Sequence, residues 1–400
     1  MALEKDMKLF NTLTQSLELF TPLTDTVRIY VCGVTPYDTT HLGHAFTYVS
    51  FDTLIRYLEY LGYKVKYVQN VTDIDDDVIR KAREVGLAWD ELGRRETERY
   101  LRDMDTLNVR RPAVYVKATD EIPWIIKLAQ ALLERGYAYV SEGCVFYEVK
   151  KDPDFGTLAH AIGLNDYQSM LNIANERGNF PNDKRKKDPL DFVLWQAQAP
   201  GEPAWPSPWG SGRPGWHIEC SSMAIHYLGE QIDIHGGGAD LAFPHHTCEI
   251  AQSEHYTSKV PFVRYWMHTG MVYQDGEKMS KSLGNLTLVG DLLKDYAPDT
   301  IRVVLLRHHY RHPWECFAED LQSATETVEL FQRVRNIVGK DPHGEDHMLR
   351  DRFKVAMDDD LDTPEALLLL KEAAEKVVAT HDANIGAEIL RLTPILGLCV

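Results

Sequence analysis

A strand, a turn, a helix and a second strand follow one another within about 45 residues near the start of the chain, and this order restricts the fold more than any other feature. Arg28-Ile-Tyr-Val-Cys-Gly-Val34 is a β-branched and aromatic run that enters the turn-forming Thr35-Pro36-Tyr37-Asp38, as a buried strand does. Phe46, Val49, Leu54, Ile55, Leu58 and Leu61 then recur at helical spacing, with Gly62 as a C-cap. Lys64-Val-Lys-Tyr-Val-Gln-Asn70 reads as the next strand. This is the βαβ grammar of a parallel sheet covered by helices, an α/β fold. Such sheets bind ligands beyond the C-terminal ends of their strands, where Cys32 and Asn70 fall.

Helical patterns follow over 74–85, 89–107 and 121–135, and Tyr137-Ala-Tyr-Val and Val145-Phe-Tyr-Glu-Val flank a glycine-containing hairpin turn. Residues 152–208 lack a clear period and carry Lys184-Arg-Lys-Lys187. The sheet resumes over 231–235 and 263–272, and helices dominate beyond Val289. The expected organisation is a sheet domain in two halves, 1–110 and 206–290, an inserted subdomain over 111–205, and a helical region over 291–400.

Four hundred residues suffice for two or three domains of roughly 150 each. With 43 Lys+Arg against 60 Asp+Glu the formal net charge is −17, so any nucleic-acid contact must be a local patch. The six cysteines are too sparse for a disulfide scaffold and read as thiols. No apolar run approaches the roughly 18 residues of a membrane span, and the charged start lacks a signal-peptide core; the expected location is cytoplasmic.

Three clusters could carry chemistry. His41-Leu-Gly-His44 puts two imidazoles on one face of a helix start, where free N–H groups and the dipole favour an anionic phosphate; a pair of exposed histidines near a cap is the bland alternative. Lys278-Met-Ser-Lys-Ser282, between Gly276 and Gly284, is either a solvated loop or one that closes on a polyphosphate. In Pro244-His-His-Thr-Cys-Glu249, His245 and Glu249 share a helix face, and with Cys220 and Cys32 they make a donor set suited to tetrahedral zinc. His246 and Cys248 are expected to point elsewhere, and buried thiols remain the alternative to a metal. Between these clusters, His235-Gly-Gly-Gly-Ala-Asp240 either forms a plain tight turn or lets backbone approach a ligand, with Asp240 able to accept from a ribose hydroxyl or an adenine amine. Trp216 reads as either a pocket cap or plain core.

Together and in order, these clusters resemble the class I aminoacyl-tRNA synthetases, whose two signatures are matched by His41-Leu-Gly-His44 and Lys278-Met-Ser-Lys-Ser282. Pro214-Gly-Trp-His-Ile-Glu-Cys220, His235-Gly-Gly-Gly-Ala-Asp240, Phe243-Pro-His-His246 and Gly276 to Asn285 narrow the resemblance to cysteinyl-tRNA synthetases and the related cysteine:glucosaminyl-inositol ligases of mycothiol biosynthesis. It implies a Rossmann-like catalytic domain with an inserted subdomain and a C-terminal helical region. The ligase branch is favoured by Cys32-Gly-Val-Thr-Pro36 and by Glu176-Arg-Gly-Asn-Phe-Pro181. The end at Val400, ahead of any anticodon-binding module, favours it too. Glu249 favours the tRNA synthetases, and Asn179-Phe180 departs from the ligase motif.

The resemblance implies one zinc ion per chain held by Cys32, Cys220, His245 and Glu249, and ATP with Mg2+. It makes His41, His44, Lys278 and Lys281 catalytic. It lines the adenylate with Cys32, Gly33, Val34, Thr35, Thr47, Asn70, Val71, Thr72, Trp216, Gly238, Ala239, Asp240 and Val272. The expected reaction is activation of L-cysteine as cysteinyl-adenylate. Transfer to a small glucosaminyl-inositol-like amine is ranked first and charging of tRNA second. The expected assembly is a monomer.

Overall fold

The computed structural model describes residues 6–37, 40–274, 276–278, 286–339 and 343–400, with the backbone alone at 277 and 278. A hairpin of β1 (Lys8–Asn11) and β2 (Ser16–Leu19) comes first. It borders the sheet edge, where Thr12 N donates to Trp266 O at 2.9 Å. The βαβ unit follows as β3 (Thr26–Val34), α1 (Leu42–Tyr60) and β4 (Lys64–Val71), then α2 (Asp76–Val85), α3 (Trp89–Thr106) and β5 (Val114–Lys117).

Ile29 and Val31 of β3 pack into the core that contains α1, while Tyr30 and Cys32 face a second core on the opposite side. The strand is therefore buried on both faces, which is why it reads as a continuous apolar run. After β5 the chain leaves the sheet to build α4 (Ile122–Glu134), the hairpin β6 (Ala138–Ser141) and β7 (Cys144–Tyr147), α5 (Thr157–Ala161), α6 (Tyr167–Glu176), β8 (Phe192–Ala197) and β9 (Gly212–Pro214). Strands β6 to β9 form an antiparallel sheet in sequence order, over a core that includes Leu132, Tyr147, Leu194 and Trp195. The inserted unit differs at both ends from the 111–205 expected: β5 pairs with β4 at the edge of the main sheet, and β9 pairs with β8. The segment over 152–208 also holds two helices and a strand, which Pro and charged residues around them concealed. Asp166 caps α6 by accepting from Ser169 N at 2.8 Å.

The chain returns through α7 (Trp216–Leu228), β10 (Ile232–Gly238), α8 (Thr247–Thr257) and β11 (Val263–Thr269). The main sheet is parallel throughout, in the order β11-β10-β3-β4-β5. Successive crossovers run to one side from β3 to β5 and to the other from β10 to β11, so a topological switch point lies between β3 and β10. Open α/β sheets place their ligand crevice at that point. A small sheet of β12 (Val272–Gln274), β13 (Glu277–Lys278) and β14 (Trp314–Glu315) stands beyond β11.

The helices α9 (Val289–Asp295), α10 (Pro298–Leu306), α11 (Ala318–Val338), α12 (His347–Asp358), α13 (Thr363–Thr380) and α14 (Ala383–Leu392) complete the chain. They share the core of α1. Arg302 of α10 ties them to the sheet domain, reaching Asp52 of α1 through Nη2, Leu107 O at 2.9 Å and Leu396 O at 2.6 Å. Among the described residues no helix is long and apolar enough to cross a membrane.

Candidate active site and metal centre

Each element brings one part of the site to the strand ends. Cys32 arrives on β3, two residues before the strand stops. Trp216, Glu219 and Cys220 share the face of α7 that looks back toward it, three and four residues apart. His245 and His246 end the segment before α8, and Glu249 sits in the first turn of that helix.

Among the described residues two donor sets result: Cys32, Cys220, His245 and Glu249, and Cys32, His235, His246 and Glu249. Within each, the potential ligand atoms lie within 4.8 Å of one another, and all six residues are buried. A tetrahedral zinc with bonds to sulfur of about 2.3 Å would hold two thiolates roughly 3.8 Å apart, and the Sγ atoms of Cys32 and Cys220 are 3.8 Å apart. Glu249 Oε1 is 3.7 Å from Cys32 Sγ and 3.2 Å from His245 Nε2. The first set therefore fits the ion by both chemistry and spacing.

The polar partners of these donors are histidines. His245 Nδ1 meets His217 Nδ1 at 2.9 Å, His235 Nε2 meets Glu249 Oε2 at 2.9 Å, and His246 Nδ1 meets His268 Nε2 at 2.8 Å. Contrary to expectation, His246 does not point away: its Nε2 is 3.3 Å from Cys32 Sγ. His246 has helical backbone angles and lies three residues before Glu249, a spacing that shares a helix face just as the four residues between His245 and Glu249 do, so both imidazoles turn toward the donor set. Cys248 does face away, into the core of the inserted unit.

Burial sets the charge state of the cluster. It pushes His217 and His235 down to about 3 and His245 and His246 well below the usual imidazole range, so these rings are neutral donors or ligands. The same burial raises the Cys32 thiol, helped by Cys220, and raises the Glu249 carboxyl. Neutral imidazoles, with a Cys32 thiol and a Glu249 carboxyl that resist ionisation without a cation, are the donor chemistry that a divalent ion stabilises.

The adenylate residues expected from the sequence cluster at the same strand ends. Gly33 N donates to Asn70 Oδ1 at 2.8 Å. A Cβ on Gly33 would lie 1.6 Å from Asn70 O, so only glycine lets β3 approach β4 there. Val34 pairs with Val71 and its carbonyl accepts from Thr72 N at 3.2 Å, which holds Thr35 just past the strand end. Thr47 on α1 shares a 2.8 Å hydrogen bond with Thr269, whose hydroxyl reaches Gly237 O at 3.4 Å. Gly238 ends β10, with Ala239 and Asp240 in the tight turn beyond it.

Trp216 stacks on His245 with ring centroids 4.4 Å apart, capping the donor set. Val272 starts β12 with its side chain in the core and its backbone paired with Trp314. His41 caps α1, its Nδ1 accepting from His44 N at 3.4 Å, and the two imidazoles stack at 3.8 Å. Leu42 N donates to Thr287 O at 3.0 Å, so the chain just past the second signature runs beside the first. Lys278 closes β13 through its backbone, and Lys281 lies outside the described residues.

Other participants escaped the sequence reading. His217, Glu219, His235, His268 and Thr269 are revealed only by their partners, although alternation along β10 and β11 would have placed His235 and Thr269 near the sheet ends. Arg177, part of the motif that favoured the small-amine branch, instead donates to Asp240 O and Phe243 O and braces the loop leading to the donor set. The basic run beside it is partly neutralised, with Arg185 on Asp183 and Lys187 on Glu148.

Residues 19–326 match the family of tRNA synthetases class I (C) catalytic domain. A cysteine–tRNA ligase of Legionella pneumophila subsp. pneumophila is 46% identical over 398 residues, covering 98% of this chain and 85% of its own. One from Thermodesulfovibrio yellowstonii is 45% identical over 392 residues, covering 93% and 78%. These relatives carry the name of the tRNA-charging branch, which reverses the ranking the sequence motifs favoured. Among solved structures, a Mycobacterium tuberculosis methionyl-tRNA synthetase in complex with methionyl-adenylate superposes with a TM-score of 0.67 at 16% identity, covering 93% of this chain and 90% of that one. At that identity the likeness speaks for the fold.

Proposed function

We propose that this chain, which belongs to the class I tRNA synthetase (C) catalytic-domain family and is an ATP-dependent ligase, activates L-cysteine and transfers it to a cysteine tRNA. The observation that carries the reading is identity near 45% over almost the whole chain with cysteine–tRNA ligases. The sulfur-containing donor set at the switch point supports it. The small amine acceptor becomes the second candidate, because Arg177 is engaged in bracing the Asp240 loop.

In the first step an oxygen of the cysteine carboxylate attacks the α-phosphorus of ATP, bound with magnesium. The bond from that phosphorus to the bridging oxygen breaks, and pyrophosphate leaves. His41 and His44, stacked at the start of α1, donate to the phosphate oxygens as charge builds on them. Lys278 and Lys281 close on the departing pyrophosphate. Thr47, Asn70 and Thr72 hold the activated amino acid at the strand ends, and Asp240 holds the nucleoside.

In the second step the terminal ribose hydroxyl of the tRNA attacks the carbonyl carbon and AMP leaves. Cys32, Cys220, His245 and Glu249 would hold zinc, which when bound supplies a soft Lewis acid for the substrate thiolate. That preference matters, because small size differences give a pocket only about 1 to 3 kcal/mol of discrimination. Trp216 over His245 keeps water from that corner.

The test is cysteine-dependent ATP–pyrophosphate exchange followed by a two-acceptor assay with cysteine tRNA and glucosaminyl-inositol. Exchange with cysteine and esterification of the tRNA are expected. Consumption of glucosaminyl-inositol alone would restore the small-amine branch, and absence of exchange would overturn the reading.

A further inference from the structure

The motif Glu176-Arg-Gly-Asn-Phe-Pro181, which the sequence ties to the acceptor, runs out of α6 in the inserted unit. Asn179 stays with that unit, its Nδ2 donating to Pro189 O at 3.1 Å, and Phe180 is 63% exposed. Arg177 turns the other way. Its Nη1 donates to Asp240 O and Phe243 O, which lie 63 and 66 positions further along the chain.

Both carbonyls belong to the stretch that joins β10 to α8. Ala239–Leu241 is a single tight turn and Phe243 is extended, so donors for their carbonyls must come from outside any regular ladder. One guanidinium nitrogen carries two protons, keeps its charge at any working pH, and can hold two carbonyls at once.

The two ends of this stretch differ in what else secures them. At the metal end the Phe243 ring is buried in the core of the inserted unit, Thr247 Oγ1 donates to Ala242 O at 2.9 Å, and His245 stacks under Trp216. At the other end none of Ala239, Asp240 and Leu241 is buried. The Asp240 carboxylate folds back over Gly238, where a Cβ would lie 2.6 Å from Oδ1. Loss of the guanidinium therefore loosens the Asp240 turn before it disturbs the metal end.

We propose that Arg177 is a positioning residue for ATP: reaching over from the inserted unit, it fixes the main chain of Asp240, so the motif serves the activation step and not the acceptor. The nucleoside subsite is then built by two units of the chain together. This inference rests on the reading above in which Asp240 holds the nucleoside.

The test compares the full chain with Arg177→Met, Arg177→Lys, Asp240→Asn and the Arg177→Met/Asp240→Asn double variant. ATP–pyrophosphate exchange, which needs no acceptor, is measured first, and charging of cysteine tRNA at saturating ATP second. Arg177→Met is expected to raise the KM for ATP by about 10- to 100-fold, with the KM for cysteine, the KM for tRNA and the zinc content unchanged. Arg177→Lys keeps a charge and donors and is expected to recover part of the loss. In the double variant Arg177→Met should add little to Asp240→Asn, because the guanidinium acts through that residue.

An unchanged KM for ATP would overturn the proposal. A raised KM for tRNA with exchange untouched would return the motif to the acceptor, and losses that add in full would reduce Arg177 to a structural part. Should Arg177→Met not fold, Arg177→Lys carries the same comparisons. A normal response at Asp240 with none at Arg177 defeats this inference alone, whereas an Asp240→Asn variant with unaltered KM for ATP defeats the nucleoside reading as well.

Discussion

Replacing His245 or its neighbour His246 by alanine discriminates between the two overlapping donor sets, because each histidine belongs to only one of them. Structural zinc sites are worth about 10 to 16 kcal/mol in all. Shared among four ligands, that is roughly 2.5 to 4 kcal/mol each, or about 10²- to 10³-fold in affinity. His245 Nε2 faces Glu249 Oε1 at 3.2 Å and belongs to the set whose Cys32–Cys220 spacing of 3.8 Å matches a tetrahedral ion, so His245→Ala should show that full loss. His246 Nε2, 3.3 Å from Cys32 Sγ, acts on the ligand, and loss of such an outer partner costs about 10- to 100-fold.

Competition with a graded series of chelators would measure both affinities. Cobalt-substituted protein supplies an independent reading: Cys220→Ser should remove about half of the thiolate-to-metal absorption, since two sulfurs ligate in this set and one in the other. A larger loss of affinity for His246→Ala than for His245→Ala, with the absorption unmoved by Cys220→Ser, would refute the assignment and select His235 and His246.

Three further outcomes follow from the geometry. Arg302→Met leaves Asp52 buried with Arg56 Nε at 2.8 Å as its remaining ionic partner, so urea unfolding should show a loss near the lower end of the about 3 to 5 kcal/mol typical of a broken buried pair. The double variant with Asp52→Asn should regain part of it. Gly33→Ala should abolish exchange and lower the melting temperature, because its Cβ meets Asn70 O at 1.6 Å, whereas Gly290→Ala, whose nearest atom is 3.6 Å away, should be tolerated.

His308, stacked on Trp314 at 4.1 Å, is held down to about 4 by burial. An unfolded histidine titrates near 6.5, so the unfolded state binds the extra proton between these values. The contribution of His308 is thus fully present above about 6.5 and lost as pH falls toward 4. Denaturant melts at pH 7 and pH 5 should show a smaller difference for His308→Gln than for the unaltered protein, and an equal difference would contradict the placement.

The sheet domain was legible because its strands are buried on both faces. A strand such as Thr26–Val34 must be apolar along its length, and α1 must repeat its apolar residues at helical spacing, so local pattern and tertiary role coincide. The inserted unit was less legible. Strand β8 and the helices before it draw their stability from partners such as Leu132 and Tyr147 rather than from a strong local period. The edges of the insertion moved because a strand belongs to a sheet through its hydrogen bonds, which spacing along the chain does not reveal.

The sequence by itself determined the donor types, the glycines that admit close backbone approach and the order of the motifs, because these depend on residue chemistry and short spacings. Only the tertiary structure decided that Cys32 and Cys220, 188 positions apart, stand with their sulfurs 3.8 Å from one another. It alone brought His246 to Cys32 and Thr72 to the otherwise inconspicuous Glu219. The physical reason is that a parallel sheet collects the ends of strands remote in sequence at one edge, and the distance between side chains there is set by strand order and helix packing.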